Sequence, residues 1–164
     1  MYFVIHKQWR ILLLFLILFG LIFFIYFLLS HYNILKIYST ETDLIETLLI
    51  KEGQVFELKY WQSTDNYEVE VTDHFVVRDG KIVLVAVKSE QPVNGMTYDK
   101  KQKVIIQKDN IIIINIDRLF EQLVVRTGNA SDHRLFVNEK EFRFMDLSPQ
   151  TGLVKVKILP IWFY

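Results

Sequence analysis

An uncharged run of nineteen residues near the start of the chain, Ile11 to Leu29, constrains its architecture most. As a helix rising about 1.5 Å per residue, the run is about 28 Å long, close to the roughly 30 Å hydrocarbon thickness of a bilayer. All of its residues except Gly20 and Tyr26 are Leu, Ile or Phe, and each of these favours insertion by roughly 0.3–0.6 kcal/mol at the bilayer centre. The run therefore predicts one transmembrane helix over residues 11–30.

The charges that flank this run predict its orientation. Lys7 and Arg10 precede it without any acidic residue, whereas several acidic residues follow it, beginning at Glu41. Because short basic segments stay in the cytoplasm, residues 1–10 are expected to form a cytoplasmic tail and residues 31–164 a domain outside the cytoplasmic membrane. A cleaved signal peptide is the alternative, but the small-residue cleavage pattern that it needs is absent. We expect an uncleaved single-pass anchor in the cytoplasmic membrane.

The composition of residues 31–164 excludes several classes of function. Without Lys7 and Arg10, the nineteen basic side chains fall to seventeen, against nineteen acidic ones, so the domain lacks the basic excess that nucleic acid binding needs. The chain has no cysteine, which excludes disulfides, thiol catalysis and thiolate metal sites. Its four histidines show no metal-binding spacing, and we expect neither a metal nor a cofactor.

The residue types of this domain predict an all-β fold. Val, Ile, Phe and Tyr are abundant and turn residues recur at short intervals, as in strands joined by tight turns. The alternation at residues 55–61 places Phe56, Leu58 and Tyr60 on one face. We expect one antiparallel β-sandwich of about eight or nine strands. The clearest strands are Val55–Trp61, Tyr67–Val77, Lys81–Lys88, Lys103–Gln107, Ile111–Ile116, Leu123–Arg126, Arg134–Val137, Glu141–Met145 and Leu153–Leu159. Arg78, Asp79 and Gly80 predict the turn of a hairpin between the second and third of these strands.

Two segments need separate interpretation. Residues 41–52 fit either a helix ended by Gly53 or a strand at residues 45–50 paired with Leu35–Tyr38. The isoleucine block Ile111–Ile116 is too short to cross a membrane and predicts a strand buried on both faces.

The order of several motifs along the chain resembles that of a bacterial family, the domain-of-unknown-function family eighteen-fifty. The motifs are GQVFELKYWQS, RDGKIVLVAV, NGMTYD and RLFEQLVVRTGNASDHRLFVNEKEFRFMDLSPQTGLVKVKI, and the likeness covers about residues 34–159. Members of this family are small exported proteins, many of them encoded beside TAXI-type tripartite ATP-independent periplasmic (TRAP) transporters. The resemblance implies a multi-span TRAP permease as partner, and it favours the strand at residues 45–50.

The family's most recognisable element is an aromatic strand that ends in His-Ser-Val-Glu. In this chain the corresponding residues run from Tyr60 to Asp65, and Gln62 stands at the position of the histidine. A second family element, Gly-Ala-Gly-Leu-Pro, is reduced to residues 95–98. The resemblance thus implies a ligand or partner site, altered by loss of the histidine, at Tyr60, Gln62, Ser63, Asp65 and Tyr98.

No catalytic constellation is evident in the sequence. Ser63 lacks the G-x-S-x-G and S-x-x-K patterns of a nucleophile, and the carboxylates of residues 65–73 fit a solvated strand face. The pairs Asp73–His74 and Asp132–His133 are adjacent in sequence, so their side chains point apart in a strand and surface or turn roles are expected. We expect a non-catalytic accessory protein anchored in the membrane, with a small-ligand or solute-binding domain as the alternative.

Overall fold

The computed structural model describes residues 2–63, 67–91, 102–107, 110–128, 130–149 and 151–161. The chain divides into two compact units, Met1–Tyr32 and Asn33–Tyr164. The first unit contains helix α1 (Tyr2–Ser30), which begins before the predicted start at residue 11. The large apolar side chains described in α1 are all exposed, by between 42% and 71%.

Among the described residues, no helix combines the length and the hydropathy that crossing a membrane requires. The transmembrane span expected at residues 11–30 is therefore not found there.

Eleven strands follow α1 in the described ranges of the chain. They are β1 (Tyr32–Ser39), β2 (Ile45–Lys51), β3 (Val55–Ser63), β4 (Glu68–Arg78), β5 (Lys81–Ser89), β6 (Lys103–Gln107), β7 (Asn110–Phe120), β8 (Leu123–Arg126), β9 (Arg134–Val137), β10 (Lys140–Arg143) and β11 (Leu153–Pro160). A short helix, α2 (Phe144–Leu147), lies between β10 and β11.

The strands form two largely antiparallel sheets that share one hydrophobic core. The four-stranded sheet has the order β2-β1-β11-β8, and the seven-stranded sheet has the order β10-β9-β3-β4-β5-β7-β6. Leu35 and Val156 of the first sheet lie in the same buried cluster as Phe56 and Leu58 of the second. The predicted all-β, two-sheet architecture is confirmed, although the eleven strands exceed the expected eight or nine because β1 and β2 join the nine clearest strands of the sequence.

Alternation of side chains explains how β3 contributes to this core. Phe56 and Leu58 are buried while Val55 is 52% exposed, as expected when successive side chains of a strand point to opposite faces.

The predicted turn between β4 and β5 is also confirmed, with positive φ angles of 53° at Asp79 and 66° at Gly80. Such angles suit Asp and Gly, which reach the left-handed region more readily than most residues.

Residues 45–51 form strand β2 beside β1, so the strand interpretation of this segment is confirmed and the helix is wrong. The predicted strand Glu141–Met145 ends at Arg143 instead, because the chain turns there into α2. This turn buries Phe144 and Leu147 in the core.

The isoleucine block in β7 is not buried on both faces as predicted. Ile113 is its only fully buried isoleucine, and the others are half-buried. The neighbouring strand β6 is the edge of the sheet, and Ile106 on that edge is 76% exposed. A strand next to the edge of an antiparallel sheet keeps one face open to solvent, which explains the difference.

Candidate functional site

Two polar side chains of the seven-stranded sheet face the core. In the pairing of β3 with β4, Tyr60 lies opposite Val71, and Leu58 lies opposite Asp73. Since opposed residues share a face, Tyr60 and Asp73 point to the same side as the buried Leu58. Asp73 is half-buried, so its expected place on a solvated strand face is wrong.

The hydroxyl of Tyr60 donates a hydrogen bond to the carboxylate of Asp73. Burial raises the pKa of Asp73 to about 6, and the hydrogen bond from Tyr60 partly opposes this rise. Burial, followed by the charge and the hydrogen bond of Asp73, also raises the pKa of Tyr60. The pair therefore holds a carboxyl group that gains its proton under mildly acidic conditions beside a phenol that stays neutral.

The imidazole ring of His133 completes this group. It stacks on the ring of Tyr60 with centroids 5.2 Å apart, and the ring of Phe144 lies on it at 6.4 Å. Burial lowers the pKa of His133, against the opposing effect of the charge on Asp132. The ring is therefore neutral at neutral pH. His133 lies in the loop before β9, as a turn role implies, but its half-buried ring packs on Tyr60 instead of lying free on the surface. We call Tyr60, Asp73 and His133 the Tyr60 cluster.

Backbone hydrogen bonds hold His133 in this position. The N–H of Trp61 donates to the carbonyl of Ser131 at 2.8 Å, and the N–H of Phe144 donates to the carbonyl of His133 at 3.0 Å. Within the described residues, the buried Nδ1 atom of His133 has no hydrogen-bond partner. The imidazole is thus placed by the backbone on both sides and by ring stacking.

A pocket of about 310 Å³ lies on the other face of β3. Its lining residues are Lys59, Tyr60, Trp61, Glu70, Asp132, Arg134 and Phe136. Trp61 is 40% exposed, and the Nζ atom of Lys59 lies 4.8 Å from the ring centroid of Phe136. The volume is near the lower limit for sites that bind small molecules.

The charges around this pocket are paired with one another. Asp132 accepts hydrogen bonds from the Nε atom of Arg134 at 2.8 Å and from Arg143 at 3.2 Å. Arg134 also lies 3.5 Å from Glu141. The hydrogen bond from Arg134 is the main reason why the pKa of Asp132 is lowered. The pocket therefore offers aromatic surface and neutralised ion pairs, which favour an uncharged or zwitterionic ligand over a simple anion.

No group of three or more histidine or acidic side chains within the described ranges is arranged to hold a metal ion. The chemistry that the Tyr60 cluster offers is the reversible uptake of one proton at Asp73. The chemistry of the pocket is non-covalent contact with a small molecule or a partner.

The residues that the sequence predicted for a site are only partly together. Tyr60 belongs to the Tyr60 cluster and borders the pocket. Gln62, two residues further along β3, shares the face of Tyr60 and is half-buried. Ser63 points to the opposite face, where its hydroxyl donates to Glu68 at 3.4 Å. Asp65 and Tyr98 lie outside the described residues.

Sequence reasoning missed Asp73 as a residue of this site, although one signal could have found it. The residues two and four positions from Asp73 in each direction along β4 are Val69, Val71, Phe75 and Val77, all of them buried. Alternation therefore places Asp73 on the buried face. The place of His133 depends on how residues 130–133 lie beside β3, for which the sequence holds no local pattern.

Replacing Tyr60 with phenylalanine is expected to raise the pKa of Asp73 above about 6. The variant removes the hydroxyl that stabilises the ionised carboxylate and keeps the ring stacked on His133. The pH dependence of the infrared carboxyl band gives the midpoint of this titration. Ser63→Ala, on the opposite face of the same strand, is the control and should leave the midpoint in place. A midpoint in Tyr60→Phe at or below that of the parent chain would contradict the assigned hydrogen bond.

Comparison with known proteins gives one family. Residues 56–144, just over half of the chain, match the family described as Domain of unknown function (DUF1850). The matched range includes Tyr60, Asp73 and His133, and it is narrower than the likeness over residues 34–159 that the sequence motifs indicated. No similar curated protein and no similar solved structure were found.

Proposed function

Because the chain belongs to the DUF1850 family of domains of unknown function, we propose that it is a membrane-anchored accessory protein without catalytic activity. Its β domain works outside the cytoplasmic membrane, and its partner is a multi-span permease of a TAXI-type TRAP transporter. The apolar surface of α1 is the observation that supports a membrane anchor, and the choice of partner rests on the family resemblance.

The surface of α1 supports a lipid environment. Its large apolar side chains are at least 42% exposed, while the second unit already has a complete core of its own. Exposed apolar surface costs roughly 25 cal/mol per Å² in water, so a continuous run of such side chains needs an apolar cover. The uncharged run of residues 11–29 has the length of a bilayer core, and Lys7 and Arg10 favour a cytoplasmic N-terminus.

Anchoring in a membrane would also favour the association of two proteins that bind each other weakly. Two proteins confined to one membrane have a raised effective concentration, so a small contact area is sufficient for their association. A permease held in the same bilayer fits this condition, and the β domain supplies two sheets with exposed outer faces for the contact.

Purification of a tagged full-length chain from detergent-solubilised membranes tests the partnership. We expect mass spectrometry to identify a multi-span TRAP permease in the eluate, and recovery of the tagged chain alone would contradict this partner.

Extraction of the same membranes with alkaline carbonate tests the anchor separately, since an inserted helix stays in the pellet. A chain released into the supernatant would contradict the anchor whatever its partner.

The pocket beside Trp61 favours a second candidate, a domain that binds a small solute. A thermal-shift screen of the detergent-solubilised full chain against amino acids, sugars and small acids tests it, because a ligand at 100 times its dissociation constant stabilises a protein by about 2.7 kcal/mol. Trp61→Ala should abolish the shift. Val55→Ala, which changes an exposed apolar residue of the same strand outside the pocket, should retain it. A screen without any shift would contradict this candidate.

A further inference from the structure

The outer face of the four-stranded sheet carries a group of lysines. The pairing of β1 with β11 aligns Lys36 with Lys157 and Tyr38 with Lys155. The alternating residues of the same strands, including Leu35 and Val156, are buried in the core. Lys36, Lys155 and Lys157 therefore share the face that points away from the core, and we call it the lysine face.

The charges on the lysine face are not compensated. Lys36 and Lys157 are directly opposed across the strand pair, which is unfavourable for like charges. In the part of the chain that the structure describes, none of the three lysines forms an ion pair. Lys36 contacts an aromatic ring instead, with its Nζ atom 5.3 Å from the ring centroid of Tyr38.

The outer face of the seven-stranded sheet carries several ion pairs. There Lys59 pairs with Glu57 at 3.8 Å, and Arg134 pairs with Asp132 and with Glu141. The basic groups at the centre of that face are thus matched within the chain, whereas the three lysines of the lysine face are left for a group outside the chain to bind.

Exposed apolar side chains accompany the lysines. Val124 of β8 is opposite Lys155 and is 49% exposed. On β2, Leu49 is 57% exposed, and because the adjacent Ile50 lies in the core, Leu49 points outward. The positions of β1, β8 and β11 on this face hold no acidic residue. Basic and apolar side chains on one face are the combination found in proteins that bind membrane surfaces.

The chain connectivity brings this sheet to the membrane if α1 is inserted. Strand β1 follows α1 with His31 alone between them. A single connecting residue keeps the start of β1 within a few ångströms of the helix end, whatever angle the two adopt. The first strand of the lysine face is therefore tethered at the bilayer surface.

We propose that the lysine face docks on anionic phospholipid headgroups of the bilayer that holds α1. The three lysines bind the phosphate groups, while Val124 and Leu49 enter the interfacial region. This inference rests on the proposed membrane anchor and adds an orientation to it. The outer face of the seven-stranded sheet, with its pocket beside Trp61, then faces away from the lipid and remains accessible to a partner.

Site-specific fluorescence can test this docking, because the chain has no cysteine. Val124→Cys carries an environment-sensitive dye in the full-length chain, reconstituted in vesicles of phosphatidylcholine with or without phosphatidylglycerol. We expect a blue shift of the emission only in vesicles with phosphatidylglycerol, and its loss at high salt, where charges are screened within a few ångströms. A dye at Lys88→Cys, an exposed position of β5, is the control and should respond to neither change.

Replacing the three lysines with uncharged residues should weaken the binding of the lysine face to the bilayer. One lysine near an anionic surface favours the bound state about fivefold, so Lys36→Gln, Lys155→Gln and Lys157→Gln together should lower the ratio of docked to undocked protein on the order of 100-fold. Lys88→Gln, Lys103→Gln and Lys140→Gln change the same net charge on the seven-stranded sheet and should leave the blue shift in place.

Flotation of the vesicles separates this inference from the anchor. Protein that floats with both kinds of vesicle while its emission is the same in both would overturn the docking and leave the anchor intact. Protein that floats with neither would overturn the anchor. A blue shift that needs added membrane proteins, and is absent with lipid alone, would overturn the docking in favour of an acidic protein partner.

Discussion

Replacement of Phe56 with alanine is expected to lower the free energy of unfolding of the β domain by about 3–5 kcal/mol. Phe56 is 1% exposed, and its ring stacks on that of Phe75 with centroids 5.4 Å apart. It lies in the cluster to which both sheets contribute. Removing the ring therefore costs the transfer of a large apolar group into water and leaves a cavity between the sheets.

The matched control for Phe56→Ala is the neighbouring residue. Val55 is 52% exposed, and Val55→Ala should change the stability by less than about 0.5 kcal/mol, as surface substitutions usually do. Chemical denaturation of the detergent-solubilised full chain, followed by tryptophan fluorescence, gives both values. Equal losses for the two variants would contradict the assigned facing of β3 and, with it, the shared core.

Asp73→Asn is expected to stabilise the chain by about 3 kcal/mol at neutral pH and to have little effect near pH 4. Burial raises the pKa of Asp73 from 3.8 to about 6 in the folded state. Below about pH 4 the carboxyl is protonated in both states and adds no penalty. As the pH rises from about 4 to 6, the unfolded chain loses the proton first, so the folded state becomes less stable. Asparagine stays neutral and still accepts the hydrogen bond from Tyr60.

Denaturation midpoints at several pH values measure this effect. The stability difference between Asp73→Asn and the parent chain should grow from pH 4 to 6 and then remain constant. Asp146→Asn, which changes an exposed carboxylate of α2, should give a small difference without this pH dependence. A difference for Asp73→Asn that is the same at every pH would contradict the raised pKa of Asp73.

The local parts of this fold follow from the sequence. Alternation at residues 55–61 predicted which side chains of β3 are buried, and Asp79 with Gly80 predicted the turn that joins β4 to β5. Both patterns act over a few residues, where side-chain direction and backbone preference decide the structure. Local patterns do not predict the order of the strands in the sheets, because that order depends on which distant segments pair. No local pattern predicted that β9 pairs with β3.

The candidate site likewise combines a residue that local patterns identify with residues that only the fold brings together. Tyr60 was found from an aromatic strand and a family motif, both of which lie within a few residues. The Tyr60 cluster also requires Asp73 from the next strand and His133 from a loop that returns to β3, and these contacts join residues far apart in sequence. The lysine face was missed for a related reason, since Lys36 and Lys157 become neighbours only when the first and last strands pair.

The two outer faces of the β domain suit different contacts. In the proposed arrangement, lipid headgroups occupy the lysine face, and the opposite sheet presents the pocket beside Trp61 to a permease or a solute. The half-buried Asp73 lowers stability at neutral pH, a cost that natural proteins often retain at functional positions. The Asp73→Asn variant therefore also allows a comparison of partner recovery with and without the titrating group.

Cysteine accessibility tests most directly whether α1 holds the β domain outside the membrane. Lys140→Cys places a thiol at an exposed position of β10 in a chain that has no other cysteine, and a membrane-impermeant maleimide is applied to spheroplasts that produce the full-length protein. We predict that the thiol of Lys140→Cys reacts equally before and after lysis. In a second variant, His6→Cys in the N-terminal tail, the thiol should react only after lysis. Reaction of Lys140→Cys only after lysis would contradict an exported domain, and the proposed function with it.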